Sequence, residues 1–201
     1  MSDLNALLEK VGALITDSHV VYTSGKHGSA YFNKDAIYPH TAIISEICKG
    51  MASPFKESGV EAVLAPAIGG VILGQWIAHH LSQMTGKEIL SVYAEQTPEK
   101  TFVIKRGYDE LIRNKKVLVA EDVLTTGGSV KKVVETARLI PCEIIGVTAL
   151  ANRGAVTTEM LGGVPVLKSV FTLNLESFDP TDCPLCKKRT PINTKVGKGK
   201  K

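Results

Sequence analysis

Apolar residues recur along this chain in two rhythms, one of period 3.6 and one of short unbroken runs. Leu4, Leu7, Leu8, Val11 and Ile15 share one face of a helix that Ser2 or Asp3 can cap, so Ser2 to Ile15 is predicted as the first helix. Val20 to Thr23 and Ala30 to Asn33 read as short strands flanking a turn marked by Gly25 and Gly28, a hairpin ahead of the main body. Helical spacing returns over Thr41 to Phe55, where Ile43, Ile44, Ile47, Cys48 and Met51 share a face. From there buried strands alternate with helices. Ala62 to Ala65 is a strand, then a small-residue turn leads into a helix running through Trp76 to Met84. Ile89 to Ala94 and Thr101 to Ile104 are strands, and Asp109 to Asn114 turns the chain back. Val117 to Ala120, Glu143 to Leu150 and Val164 to Leu173 complete the strands. Strand–helix alternation of this kind predicts an α/β fold with a central parallel sheet flanked by helices.

The stretch Val117 to Ser129, V-L-V-A-E-D-V-L-T-T-G-G-S, organises the rest. A strand ends in Glu121 and Asp122. A turn of Thr125, Thr126, Gly127, Gly128 and Ser129 follows, and then a helix with Val130, Val133, Val134 and Ala137 on one face. In parallel α/β sheets ligands bind at the carboxyl ends of strands. A turn of Gly and hydroxyl residues opening a helix aims backbone N–H groups at an anion, with phosphate the natural guest. The two carboxylates are acceptors only, and suit a neighbouring diol or a metal. Phosphate, diol and metal together describe a ribose phosphate. The turn has no Lys after its glycines, as a Walker loop requires, and no G-x-G-x-x-G. An ordinary βα turn with an acidic strand end is the plainer alternative. Pro66, Ala67, Ile68, Gly69 and Gly70 repeat the strand–turn–helix plan and make a second anion site on the same sheet edge plausible.

Composition narrows the class. The chain has 201 residues, 44% hydrophobic and 22% charged, which describes a globular protein with one domain or one domain plus a small flap. The net charge of +4 comes from the tail: beyond Cys186 there are seven cations and no acid, leaving 17 Lys and Arg against 20 Asp and Glu elsewhere. A body without basic excess argues against nucleic-acid binding. No signal peptide is visible, and the long uncharged stretch Ala62 to Gly86 is broken by Pro66, Gly69, Gly70, Gln75, His79 and His80, so no membrane span is expected. Cysteines at 48, 142, 183 and 186 give no disulfide framework and fit a cytoplasmic protein. Cys183-x-x-Cys186 supplies two zinc ligands where structural sites want four, and no His follows it, so a turn with two free thiols is expected. The adjacent His79 and His80 face different sides of their helix and make no metal pair, and Trp76 is expected in the core. No Ser–His–Asp or Cys–His set is evident.

With these residues in hand, the chain resembles the orotate phosphoribosyltransferases, a branch of the type I phosphoribosyltransferases. The likeness runs from Val20 to about Leu173. It rests on V-L-V-A-E-D-V-L-T-T-G-G-S, on S-G-K-H-G-S-A-Y-F-N, on P-A-I-G-G and on A-N-R-G. The resemblance implies a type I phosphoribosyltransferase fold with an N-terminal hood (1–40), a core (41–178) and a Cys-containing basic tail (179–201). It implies Mg²⁺-dependent transfer of phosphoribose from phosphoribosyl pyrophosphate (PRPP) to orotate, in a homodimer. Lys105 and Asp122 are then the expected catalytic residues. Ala67, Ile68, Gly69, Lys105, Arg106, Glu121, Asp122, Val123, Leu124 and Thr125 to Ser129 would bind PRPP. Lys26, Tyr31, Phe32, Thr125 and Arg153 would meet orotate. No residue would ligate metal directly, Mg²⁺ arriving with PRPP and reaching Glu121 and Asp122 through water. Where many family members spell a longer catalytic loop, R-K-x-x-K-x-H-G, this chain has only K-R-G-Y-D-E-L-I-R-N. Gly69 stands where many carry Lys. Two other readings stay open: the same chemistry on another base such as a purine, and a regulator that senses PRPP and binds nucleic acid.

Overall fold

The computed structural model of the chain describes residues 8, 11–22, 24–173 and 176–197. It divides into two units, one made of Met1–Thr41 with Asn174–Lys201, the other of Ala42–Leu173. The tail therefore belongs with the N-terminal segment rather than standing alone. Among the described residues no helix is long and apolar enough to cross a membrane.

The larger unit is built on a six-stranded sheet in the order β10-β9-β8-β5-β6-β7. Its strands are β5 (Ala62–Pro66), β6 (Leu90–Gln96), β7 (Phe102–Val103), β8 (Lys116–Leu124), β9 (Glu143–Asn152) and β10 (Leu167–Thr172). All pairings are parallel except β6 with β7. Three longer helices accompany it: α1 (Thr41–Ala52), α2 (Gly69–Thr85) and α4 (Gly128–Ala137). A short α3 (Tyr108–Ile112) occupies part of the stretch expected as a plain turn.

The pleat divides each strand between two cores. On β5, Ala62 and Leu64 belong to the cluster that holds Val130, Val133, Val134 and Ala137 of α4. Val63 and Ala65 face α2, which comes close because it carries glycine: a Cβ on Gly74 would lie 3.2 Å from that of Ala65, and one on Gly70 would lie 3.0 Å from the Ala120 carbonyl oxygen. On that same face α1 is joined to α2 by Ser45 Oγ and His80 Nε2 at 3.0 Å, and Thr148 of β9 donates to the Met51 carbonyl at 3.1 Å. Cys48 lies on the buried face of α1, where burial pushes its thiol up to about 12. Trp76 is only half-buried, stacked at 6.0 Å on His80.

The smaller unit holds two two-stranded ladders, β1 (Leu14–Ile15) with β4 (Tyr31–Phe32) and β2 (Val20–Val21) with β3 (His27–Gly28), plus a short α5 (Pro184–Lys187). Two expectations fail here. The helix expected through Ile15 does not reach that residue: Gly12 takes a φ of 71°, and the Ala13 N–H donates to the Leu8 carbonyl at 2.8 Å. Its other expected residues, 2–7, 9 and 10, lie outside the described ones. The expected pairing of Val20–Thr23 with Ala30–Asn33 is also replaced. Val20 pairs with Gly28, while Tyr31 and Phe32 pair back onto the Leu14–Ile15 segment that the helix would have consumed.

Candidate functional site

The carboxyl ends of β5, β8 and β9 lie side by side, and each runs into a candidate loop. β8 is longer than its apolar run predicts. It continues through Glu121 and Asp122 to Leu124, because Val123 and Leu124 pair with Ala151 and Asn152 of β9. The acidic pair is thus inside the strand rather than at its end. The two side chains are 7% and 8% exposed. Each bends onto the backbone just ahead: the Asp122 N–H donates to Glu121 Oε1 at 2.9 Å, and the Val123 N–H donates to Asp122 Oδ1.

Beyond Leu124 the Thr125–Ser129 turn encloses a cavity of about 160 Å³, lined also by Glu121, Val123, Leu124 and Val130. Gly127 is the N-cap of α4, with φ 74° and no side-chain capping bond. Its missing Cβ is a packing requirement as well as a conformational one: a methyl there would lie 2.7 Å from Leu161 Cδ2 and 3.0 Å from Val156 Cγ1. The first N–H groups of a helix have no partner inside it. An uncapped helix start, a glycine turn and the hydroxyls of Thr125, Thr126 and Ser129 converge on one small space, a suitable cradle for a phosphate.

β9 delivers Arg153 to the rim of that cradle. Arg153 and Gly154 donate backbone N–H groups to the Leu124 carbonyl at 2.8 and 3.2 Å, and Arg153 Nη2 donates to Thr125 Oγ1 at 2.9 Å. Asn152 steadies the bend, its side chain both accepting from and donating to the Val156 backbone at 3.0 and 2.8 Å. Gly154 packs directly on Thr125, whose carbonyl oxygen a Cβ would overlap.

The remaining candidates belong to other elements. Ala67, Ile68 and Gly69 form the loop from β5 into α2, with the Ala67–Ile68 peptide cis and Ile68 86% exposed. Lys105 and Arg106 follow β7 at the far edge of the sheet. Lys105 is exposed. Arg106, at φ 65°, is drawn onto Glu95 of β6 with Nε 2.7 Å from Oε1, and that carboxylate raises the guanidinium's pKa. Lys26, Tyr31 and Phe32 belong to the smaller unit, Lys26 exposed, Tyr31 half-buried and Phe32 buried. His19, and His27 from the S-G-K-H-G-S-A-Y-F-N run, lie with Cys183 and Cys186 in that same unit. The signal for them, a His pair far from a C-x-x-C, has no fixed spacing to search for.

This arrangement, a parallel sheet with an acidic strand and a glycine–threonine cradle at its carboxyl edge, is that of a phosphoribosyl-transferring enzyme. The chain belongs to the phosphoribosyltransferase family: residues 33–173 match the family described as "Phosphoribosyl transferase domain". Within it the chain is similar to orotate phosphoribosyltransferases. That of Chlorobaculum parvum is 34% identical over 195 residues, 96% of this chain and 93% of the relative. That of Thermotoga maritima is 33% identical over 98% of this chain and the whole of the relative. The fold is that of the crystal structure of Mycobacterium tuberculosis orotate phosphoribosyltransferase in complex with inorganic phosphate, with TM-score 0.67 and 20% identity over 86% of this chain and 97% of that one.

Proposed function

We propose that this enzyme transfers the phosphoribosyl group of PRPP to orotate, giving orotidine 5′-monophosphate and pyrophosphate for pyrimidine biosynthesis. One observation carries the choice of base: the Arg153 guanidinium reaches Thr125 Oγ1 at 2.9 Å, on the rim of the phosphate cradle. A planar fork of donors there suits a carboxylate, which uracil and the purine bases lack. The names of relatives one-third identical to the chain support the same base.

In this reading the Thr125–Ser129 turn holds the 5′-phosphate, with Val123 and Leu124 shaping the approach. Glu121 and Asp122 accept from the ribose hydroxyls. Ala67, Ile68 and Gly69 offer backbone groups to the pyrophosphate, and Lys105 and Arg106 offer charge to it. The C1–oxygen bond breaks with its electron pair leaving on pyrophosphate, positive charge builds on the ribose, and a ring nitrogen of orotate donates its pair to C1 from the opposite face, its N–H proton passing to solvent. No side chain needs to act as nucleophile. The chain's work is positioning, charge stabilisation and exclusion of water. Glu121 and the threonines that line the cavity, with Asp122 next in the strand, are oxygen donors without a soft ligand among them, which fits a hard divalent cation such as Mg²⁺ carried by PRPP and held through water. When bound, that ion supplies charge neutralisation on the pyrophosphate. Tyr31, Phe32 and Lys26 are assigned to the orotate ring on the resemblance alone. A homodimer that shares the Lys105 segment, and a cytoplasmic setting, complete the reading.

The test is orotate consumption with PRPP and Mg²⁺, run beside uracil, adenine and hypoxanthine. Orotate should be turned over at least about tenfold faster than any other base, a preference of ~1.4 kcal/mol. Turnover of a purine with orotate untouched would move the assignment to another base. No turnover of any base, with PRPP bound, would favour a PRPP sensor.

A further inference from the structure

We propose that His19, His27, Cys183 and Cys186 form a structural zinc site of the two-His, two-Cys type, which ties the tail to the N-terminal strands. It is independent of the reading of the phosphate cradle. His19 leads into β2, His27 opens β3, Cys183 is the N-cap of α5 and Cys186 lies within its first turn. One ligand atom from each of the four lies within 4.8 Å of every other. His19 Nε2 is 2.8 Å from His27 Nδ1, and the Cys186 sulfur is 3.7 Å from the first and 3.3 Å from the second. The Cys183 sulfur is 3.8 Å from His19 Nε2. A tetrahedral zinc with bonds of about 2.0–2.1 Å to nitrogen and about 2.3 Å to sulfur separates its ligand atoms by roughly 3.3 to 3.8 Å. The cluster already has nearly that size.

The surroundings orient the ligands as a metal requires. His19 Nδ1 lies 2.7 Å from the Thr190 carbonyl oxygen, which can only accept, so Nδ1 carries the proton and Nε2 turns its lone pair inward. The His27 backbone is fixed by a two-way bridge to Phe178, and His19 by the Asn193 N–H on its carbonyl at 2.7 Å. His19 is 2% exposed, His27 8% and Cys183 not at all. Cys186 is half-buried, and no acid belongs to the group. The donor set also selects the ion: Mg²⁺ and Ca²⁺ want oxygen, while mixed nitrogen and sulfur in four-fold array is zinc chemistry.

The fold gives the site a task. Among the described residues the smaller unit has two two-stranded ladders, and isolated ladders of that size are marginal in water. Small units of this kind are commonly stapled by disulfide or metal. Here the ligands are 164 positions apart in sequence, so one ion closes a very long loop and fixes both ends of the chain in one unit.

The measurement is the metal content of the full-length protein, prepared reduced and with zinc supplied, then exchanged to Co²⁺. About one zinc per chain is expected, with the intense visible bands of tetrahedral thiolate-bound Co²⁺ after exchange. Cys183→Ser with Cys186→Ser should lower bound zinc at least about tenfold, and Cys142→Ser should leave it unchanged. Wild-type protein free of zinc after this treatment, a Cys183–Cys186 disulfide in it, or Co²⁺ in an octahedral oxygen environment would each overturn the proposal. Wild-type content and spectrum decide the matter even if the double variant does not fold.

Discussion

Arg153 and Asp122 carry the most specific chemistry at the scale of single residues. Arg153→Lys keeps the charge but loses the fork that reaches Thr125. The expected outcome is a KM for orotate raised at least about tenfold, ~1.4 kcal/mol, with the KM for PRPP little changed and Arg153→Ala worse. PRPP binding damaged with orotate spared would instead place Arg153 on pyrophosphate. Asp122→Asn retains an oxygen for the Val123 N–H, so the melting temperature should hold. It loses a charged acceptor for a ribose hydroxyl, a cost of about 1.5–3 kcal/mol, read as a raised KM for PRPP. An unchanged KM and kcat would remove the ribose assignment. What the sequence makes legible is their neighbourhood: each follows an apolar run that forms one of two adjacent parallel strands. Cys48 is legible too, its helix face marking it as a core thiol. Arg106 shows the limit: its spacing puts it after a strand, and nothing in the spacing says that Glu95 of the neighbouring strand holds it.

Elements were legible where burial repeats and illegible where pairing decides. The strands of the larger sheet follow their apolar runs, yet β8 outruns its own by the four residues from Glu121 to Leu124, because β9 offers partners that no local pattern reveals. In the smaller unit Leu14 and Ile15 fit a helical face equally well, but after Gly12 they pair with Phe32 and Tyr31 instead. Close approach of elements is equally hidden, and it yields a prediction. Gly154 lets the end of β9 lie against Thr125, and a Cβ there would overlap the Thr125 carbonyl. Gly154→Ala must push the turn away from its hydrogen bonds at Leu124, an overpacking cost of about 1–3 kcal/mol. Unlike Arg153→Lys, it should weaken PRPP and orotate together while lowering the melting temperature. Wild-type KM values for both substrates would show that the turn does not depend on this contact.

At the scale of the whole molecule, the parallel sheet and its cradle follow from strand–helix alternation and one thirteen-residue string, while the second unit does not. Its parts come from opposite ends of the sequence, and its converging histidines and cysteines share no motif, so a reading along the chain sets the tail apart from the N-terminal segment. The contacts argue otherwise. Thr190 binds His19, Asn193 Nδ2 donates to Ser18 Oγ at 3.0 Å, Val196 is buried, and Gly197 lies so close to the Val21 carbonyl that a side chain there would collide with it. Truncation after Asp182 removes all of these and both cysteines. What remains of the unit is two short ladders without their cover, which is below the size that holds together in water. Hydrogen exchange should therefore rise across Leu14 to Phe32 in the truncated protein, by at least about tenfold for the N–H groups of the two ladders. The buried strands β5, β8 and β9 have their own core and should keep their protection. Restoring residues 183–197 with Cys183→Ser and Cys186→Ser should return only part of the protection, the remainder being the share held by the ligand cluster. Exchange unchanged on truncation would mean that the N-terminal ladders stand without the tail.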